Sequence, residues 1–138
     1  MQSGLVVPDN VREEFQALRM KRKYRYIIYK VNEAKDGVAI DKMGERTEDW
    51  NAFKEAMPKD GPRWAVYDLE FTEKDGRKVS KLLFIMYSPD DCKDNAEKFI
   101  IACNKDQVKS KVSEVNLDWQ VNRWDDLSEE TAVGKFNK

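Results

Sequence analysis

Reactive side chains are scarce in this sequence. Histidine is absent. That removes the commonest general base and a frequent metal ligand, and with them histidine-based triads and most zinc hydrolase sites. Cys92 and Cys103 are the only cysteines. They are too few for a disulfide scaffold, and without histidine they make no metal-ligand set. Cys92 follows Pro89-Asp90, where a helix N-terminus would favour a thiolate, but no histidine is present to serve as its base. Carboxylates are plentiful, and Asp90-Asp91 and Asp125-Asp126 are the densest pairs. Helix capping and solvated loops account for such pairs. No Gly-rich phosphate loop, GxSxG, CxxC or EF-hand spacing occurs. These residues point away from an enzyme, and no cofactor or metal is expected.

What remains is charge. Lys plus Arg number 25 against 26 Asp plus Glu, and 37% of residues are charged. A net charge of −1 argues against a dedicated duplex-DNA binder, and no nucleic-acid partner is expected. The cations still cluster. Arg77, Lys78 and Lys81 form one group, Lys98, Lys105, Lys109 and Lys111 a second, and Lys135 and Lys138 a third. Lys98 and Lys105 are seven apart and share a helical face. A solvated face is the plain reading. The functional one is an electropositive surface for an acidic protein or a phospholipid headgroup.

The elements that carry these residues follow from periodicity and punctuation. The 138 residues suit one domain, 1–138, with one real core. Residues 1–8 lack a basic segment and a long apolar run, and the longest apolar stretch, Leu82 to Tyr87, is too short to span a bilayer. A soluble, cytoplasmic, monomeric chain with reduced thiols is expected. Pro8-Asp9-Asn10 opens a helix with Asp9 as cap, and Val11, Phe15 and Leu18 form its inner stripe. Tyr24 to Val31 reads as a strand, and Lys35-Asp36-Gly37 turns the chain into a second strand from Val38 to about Gly44. Thr47 is the expected cap of a helix burying Trp50, Phe53 and Met57, stopped by Pro58.

Arg63 to Thr72 and Lys81 to Tyr87 make a second hairpin, whose second strand is the most apolar and is expected at the sheet centre. A helical region follows, with Phe99, Ile100, Ala102 and Cys103 expected on its buried face, running to Val112. Val115, Leu117, Trp119 and Val121 alternate as a half-buried strand. Ser128-Glu129-Glu130 opens a last helix that turns Ala132, Val133 and Phe136 inward. The result is an α/β (α+β) chain: a central mixed five- to six-stranded sheet sandwiched by helices.

In that order, several stretches become familiar: Ser3-Gly4 before a capped helix, Lys23 to Lys30 (KYRYIIYK), Pro62 to Asp68 (PRWAVYD), Ser80 to Ile85 (SKLLFI), Tyr87-Ser88-Pro89-Asp90, and Lys105-Asp106. Over its whole length the chain resembles the actin-depolymerising factor/cofilin family. The resemblance implies the ADF-homology fold and a protein that binds actin monomers and filaments, prefers the ADP form, and severs or depolymerises filaments. It implies a monomer- and filament-binding surface of Ser3, Gly4, Leu5, Lys98, Lys105 and Lys109. It also implies a filament-specific surface of Lys78 and Lys81 on the second hairpin and Lys135 and Lys138 on the last helix. Ser3 matches the serine whose phosphorylation switches many relatives off, with Gln2 between it and Met1. Phosphoinositides are a second implied partner of the basic patch.

The chain departs from the family pattern at Ala96 and Val79, which stand where relatives are often basic. Phe99 stands where the family carries Met, Gly134 replaces an acid, and the stretch Asp91 to Glu97 is acidic and longer. The alternative is a relative of the same fold with another target, acting on branch junctions as glia maturation factor does or binding filament sides as coactosin does.

Overall fold

The computed structural model describes residues 5–136. Its elements are α1 (Asp9–Lys21), β1 (Tyr24–Val31), β2 (Val38–Glu45), α2 (Trp50–Ala56), β3 (Arg63–Thr72), β4 (Lys78–Tyr87), α3 (Asn95–Cys103), α4 (Lys105–Ser110), β5 (Leu117–Val121) and α5 (Glu129–Phe136), with a single 3-10 turn at Trp124–Asp126. The strands form one five-stranded sheet in the order β2-β1-β3-β4-β5. The first four pair antiparallel, and β4 and β5 pair parallel. A parallel pair needs a long crossover, and here α3 and α4 supply it. β3, not the more apolar β4, is the central strand. β4 is still interior, between β3 and β5, which explains its apolar run.

Strand alternation then sends side chains to two cores. On one face Ile27, Tyr29, Trp64, Val66, Phe84 and Met86 meet Val11, Phe15 and Leu18 of α1, Ile101 of α3 and Val108 of α4. On the other, Tyr26, Ile28, Tyr67, Leu83 and Ile85 meet Trp50 and Phe53 of α2 and Ala132 of α5. Aromatic rings dominate the second core: the Trp50 and Tyr67 centroids are 4.7 Å apart, and Tyr26 and Phe53 5.2 Å. Edge and tilted geometries of this kind add to area burial.

Local endings correct the caps read from sequence. Pro8 holds the N-cap position of α1, Asp9 lies in its first turn, and no side chain caps it. The helix closes on Arg22 in the left-handed conformation, φ 52°. In α2 the cap is Asp49, whose carboxylate accepts from the Ala52 amide at 3.0 Å. Thr47 sits too early to reach the orphan amides. Ser128 does cap α5, its Oγ accepting from the Thr131 amide at 3.1 Å. Within α5 a Cβ on Gly134 would meet nothing within 4 Å, so Gly134→Ala should recover helix propensity of about 0.5–1 kcal/mol. A urea denaturation midpoint that fails to rise would contradict this.

Ion networks help tie the layers. Arg12 of α1 grips Glu114 before β5 with two bonds of 2.6 Å. At the far end of the sheet Arg22, Arg25 and Arg46 converge on Glu70. There the buried Asp68 pairs with Arg46 at 2.8 Å and accepts from Ser80. The Arg12 hydrogen bonds hold the Glu114 carboxyl down to about 2, and the Arg25 bond lowers Glu70. Depressed carboxylates stabilise the fold above their unfolded pKa, and that stability is lost as pH falls through the folded value. Stability should therefore be flat from neutrality to about pH 5, then fall from about pH 4.5 downward. In Arg12→Ala the Glu114 share should already be missing at pH 7. Urea midpoints across pH in both proteins test this, and an equal loss on acidification in each would contradict it.

Candidate functional site

The region from Ser88 to Val112 departs most from the sequence reading. It is two helices, not one. Asn104, buried, ends α3 with its side-chain amide donating to the Ile100 carbonyl at 2.9 Å, and α4 starts at the next residue. Of the apolar residues in α3, only Ile101 is buried, and Ile100 is half-buried. Ala102 and Cys103 face solvent, and Phe99 is 68% exposed. The expected buried face is thus largely an outer face. Phe99 is two residues from Ile101, about 200° round the helix, so the two point opposite ways.

Lys98 stands beside Phe99, half-exposed, and makes no ion pair among the described residues. Its acidic neighbours are engaged elsewhere. Asp94 caps α3 through Oδ1 on the Glu97 amide at 3.0 Å, while its Oδ2 takes Lys35 Nζ at 2.9 Å from the first hairpin turn. The Lys35 bond holds Asp94 below the ordinary carboxylate range. Glu97 lies 3.5 Å from Arg63 of β3. The acidity of Asp91 to Glu97 is therefore partly neutralised by the fold itself, and Lys98 remains available to a partner.

The N-terminal segment lies against the same region. Val6 exchanges backbone bonds with the hairpin turn, its amide to Asp36 at 2.9 Å and its carbonyl from Val38 at 2.8 Å. Leu5 is a correction: its side chain is buried in the core under α1, and its carbonyl accepts from Gln107 of α4 at 2.7 Å. It anchors the segment and offers no side chain to a partner. Ser3 and Gly4 lie outside the described residues, as does Lys138.

The expected shared helical face of Lys98 and Lys105 is not formed, because the break at Asn104 puts them on separate helices. Lys105 and Lys109 project together from α4, and both are bound internally. Their ammonium groups sit 2.8 and 3.1 Å from Asp118 Oδ2 on β5. The second cationic region is also divided. Lys81 pairs across the hairpin with Leu69, and Lys78 with Thr72. Three residues apart on a strand, the two lysines project to opposite faces. Lys81 shares the α5 face, while Lys78 lines a depression with Arg22, Glu70 and Ser80. Lys135 of α5 lies on the Lys81 side, its Nζ 5.4 Å from the Trp119 ring centroid, and Phe136 stacks on Phe71 at 5.9 Å. The structure thus brings Lys81 and Lys135 to one face and leaves Lys78 on the other. Sequence reasoning missed Phe99 as an exposed anchor and Asp118 as a lysine partner. A helical wheel phased on Ile101 exposes the first, while nothing local signals the second.

Among the described residues no cluster of Cys, Asp and Glu could hold a metal ion, and no helix is long and apolar enough to cross a membrane. The outward side of α3 is an exposed helical face with one aromatic ring and a lysine that makes no ion pair among the described residues.

Known proteins place this chain in a family. Residues 4–137 match the family described as cofilin/tropomyosin-type actin-binding protein. The chain is 37% identical over 118 residues to actin-depolymerizing factor 2 of Petunia hybrida, covering 86% of this chain and 82% of that one. It is 33% identical over 135 residues to actin-depolymerizing factor 8 of Arabidopsis thaliana, covering 98% and 96%. The crystal structure of Streptomyces griseoflavus cofilin superposes with a TM-score of 0.87 at 30% identity, covering 96% of each chain. The chain belongs to the ADF/cofilin family of actin-binding proteins, which are not enzymes.

Proposed function

We propose that this protein binds actin monomers and filaments and promotes filament severing and depolymerisation, with preference for the ADP form. The observation that carries the reading is the outward face of α3. A 68%-exposed Phe beside an unpaired lysine costs the free protein exposed apolar surface, and a partner that covers it gains that back. The family's actin-binding character supplies the partner. Lys81 and Lys135, on the α5 face, are the proposed second contact, used only in filaments.

No bond is broken by this protein in such a mechanism. A ligand that binds one filament geometry better than another shifts the filament toward it. Junctions between decorated and bare segments then carry the mismatch and break. Ser3 is the proposed switch. A phosphate there adds roughly −1.5 to −2 charges two residues before Leu5, whose carbonyl is fastened to α4.

The test is co-pelleting with filaments over a concentration series, combined with counting filament ends by microscopy. Saturable pelleting with a rise in ends supports the proposal. Saturable pelleting with loss of branches and no new ends would assign the protein to branch junctions instead. Absence of pelleting would overturn the actin reading.

A further inference from the structure

Asp118 is a charge that the fold leaves only partly satisfied. It lies on β5 with its side chain 25% exposed. Its Oδ2 receives both Lys105 and Lys109, while its Oδ1 is buried without a hydrogen-bond partner. A carboxylate left half-satisfied in a partly dry site costs more than an apolar residue of similar size. Its compensation is the lysine pair. Two ammonium groups one helical turn apart are drawn onto a single oxygen, so the group carries a net charge of +1 where the lysines alone would carry +2. Each ammonium has three donors and spends one on Asp118.

From this we propose that Asp118 is an internal competitor: it occupies the two lysines in the free protein, and an acidic surface of actin must share or displace it to reach them. The proposal rests on the actin reading above and deepens it. Lys98 is available at once, whereas Lys105 and Lys109 are held back, so α3 makes the first contact and α4 sets how tightly the complex closes. Asp118 acts through the two lysines and touches no partner itself.

The sign of the effect separates this role from a structural one. A staple between α4 and β5 predicts weaker binding when Asp118 is lost. A competitor predicts tighter binding. Asp118→Asn should bind filaments about two- to fivefold tighter at low salt, the scale of one partly exposed ion pair. The gain should shrink as salt is raised. Asp126→Asn, which makes the same change in net charge at an exposed position, should leave affinity unchanged. The gain should disappear in the background Lys105→Gln with Lys109→Gln. Acylation of Lys105 and Lys109 by an amine-directed reagent, read by mass spectrometry, should be slower than that of Lys98 in the wild type and faster in Asp118→Asn.

Weaker or unchanged binding by a folded Asp118→Asn overturns the proposal, as does an equal gain in Asp126→Asn or a gain that survives loss of both lysines. Acylation already as fast at Lys105 and Lys109 as at Lys98 also overturns it, because the clamp would not persist in solution. If the wild type itself fails to pellet with filaments, the underlying actin reading falls, and the acylation rates still report whether the clamp exists.

Discussion

Charge reversal at Lys98, or replacement of Phe99 by Asp, should abolish measurable filament binding and leave the melting temperature unchanged. The two expectations belong together. Phe99 is 68% exposed, and Lys98 has no internal ion pair among the described residues, so neither side chain holds the fold. Both would be covered in a complex. An aromatic anchor that is desolvated on binding is worth about 2 kcal/mol or more, which is roughly thirtyfold in affinity. Lys98→Glu adds repulsion from an acidic partner and slows encounter as well. Phe99→Leu, which keeps apolar area, should retain a large part of the affinity. The measurement is co-pelleting of each variant beside a thermal melt. Wild-type binding by a folded Phe99→Asp would mean that another face meets actin. A fall in stability equal to the fall in binding would mean that the face is structural.

The exposure of Phe99 is not legible in the sequence. Residues 99–103 are apolar almost throughout, and such a run fits any helical phase. The true phase is set by Ile101, and only the packing of Ile101 against the sheet reveals it. The strands were more legible. β1 and β3 follow the expected limits to the residue, because β-branched and aromatic runs bounded by turns have no competing helical reading. β4 begins three residues earlier than expected, since Lys78-Val79-Ser80 lacks strand character and pairs only because Glu70, Phe71 and Thr72 lie opposite. The order of strands in the sheet is a tertiary property, and apolarity placed β4 at the centre when it lies one position off. Spacing pairs Lys98 with Lys105, but the break at Asn104 puts them on separate helices. The pair that forms is Lys105 with Lys109, and their partner Asp118 comes from another element and is fixed only by the crossover. The family resemblance gave residues for a surface, and the packing then sorted them. It buried Leu5, occupied Lys105 and Lys109, and set Lys78 and Lys81 on opposite faces.

The largest stability effect is expected far from the docking face, at Gly44→Ala. Gly44 lies on the edge strand β2, across from Tyr26 of β1. It is not among the described residues with positive φ, so an alanine is acceptable to the backbone. Space is what forbids it. A Cβ there would stand 2.1 Å from Tyr26 Cε2 and 2.3 Å from Cζ. The ring cannot yield easily. It is 3% exposed, tilted against Phe53 at 5.2 Å and stacked on Tyr67 at 6.2 Å. Its hydroxyl donates to Glu48 at 2.9 Å, and the same carboxylate accepts from the Glu45 amide at 2.6 Å. Relief therefore requires either opening the β1–β2 pair or expelling the ring from the aromatic core. Overpacking of this kind costs about 1–3 kcal/mol or more, and the loss of the linked Tyr26–Glu48–Glu45 bonds places Gly44→Ala at the upper end. For a chain of this length that is a fall in melting temperature on the order of 10 °C. Trimming Tyr26 to Leu in the same protein should recover part of the loss. Two mutations that share one cavity couple, and the coupling energy measures the clash directly. Additive losses would mean that the ring had already moved aside. Because β2 is at the opposite edge of the sheet from β5, and Tyr26 packs in the core on the α2 face rather than the one under α3, the protein that stays folded should pellet with actin as the wild type does. A loss of affinity per folded molecule would show that the packing of Tyr26 reaches the docking face through the sheet.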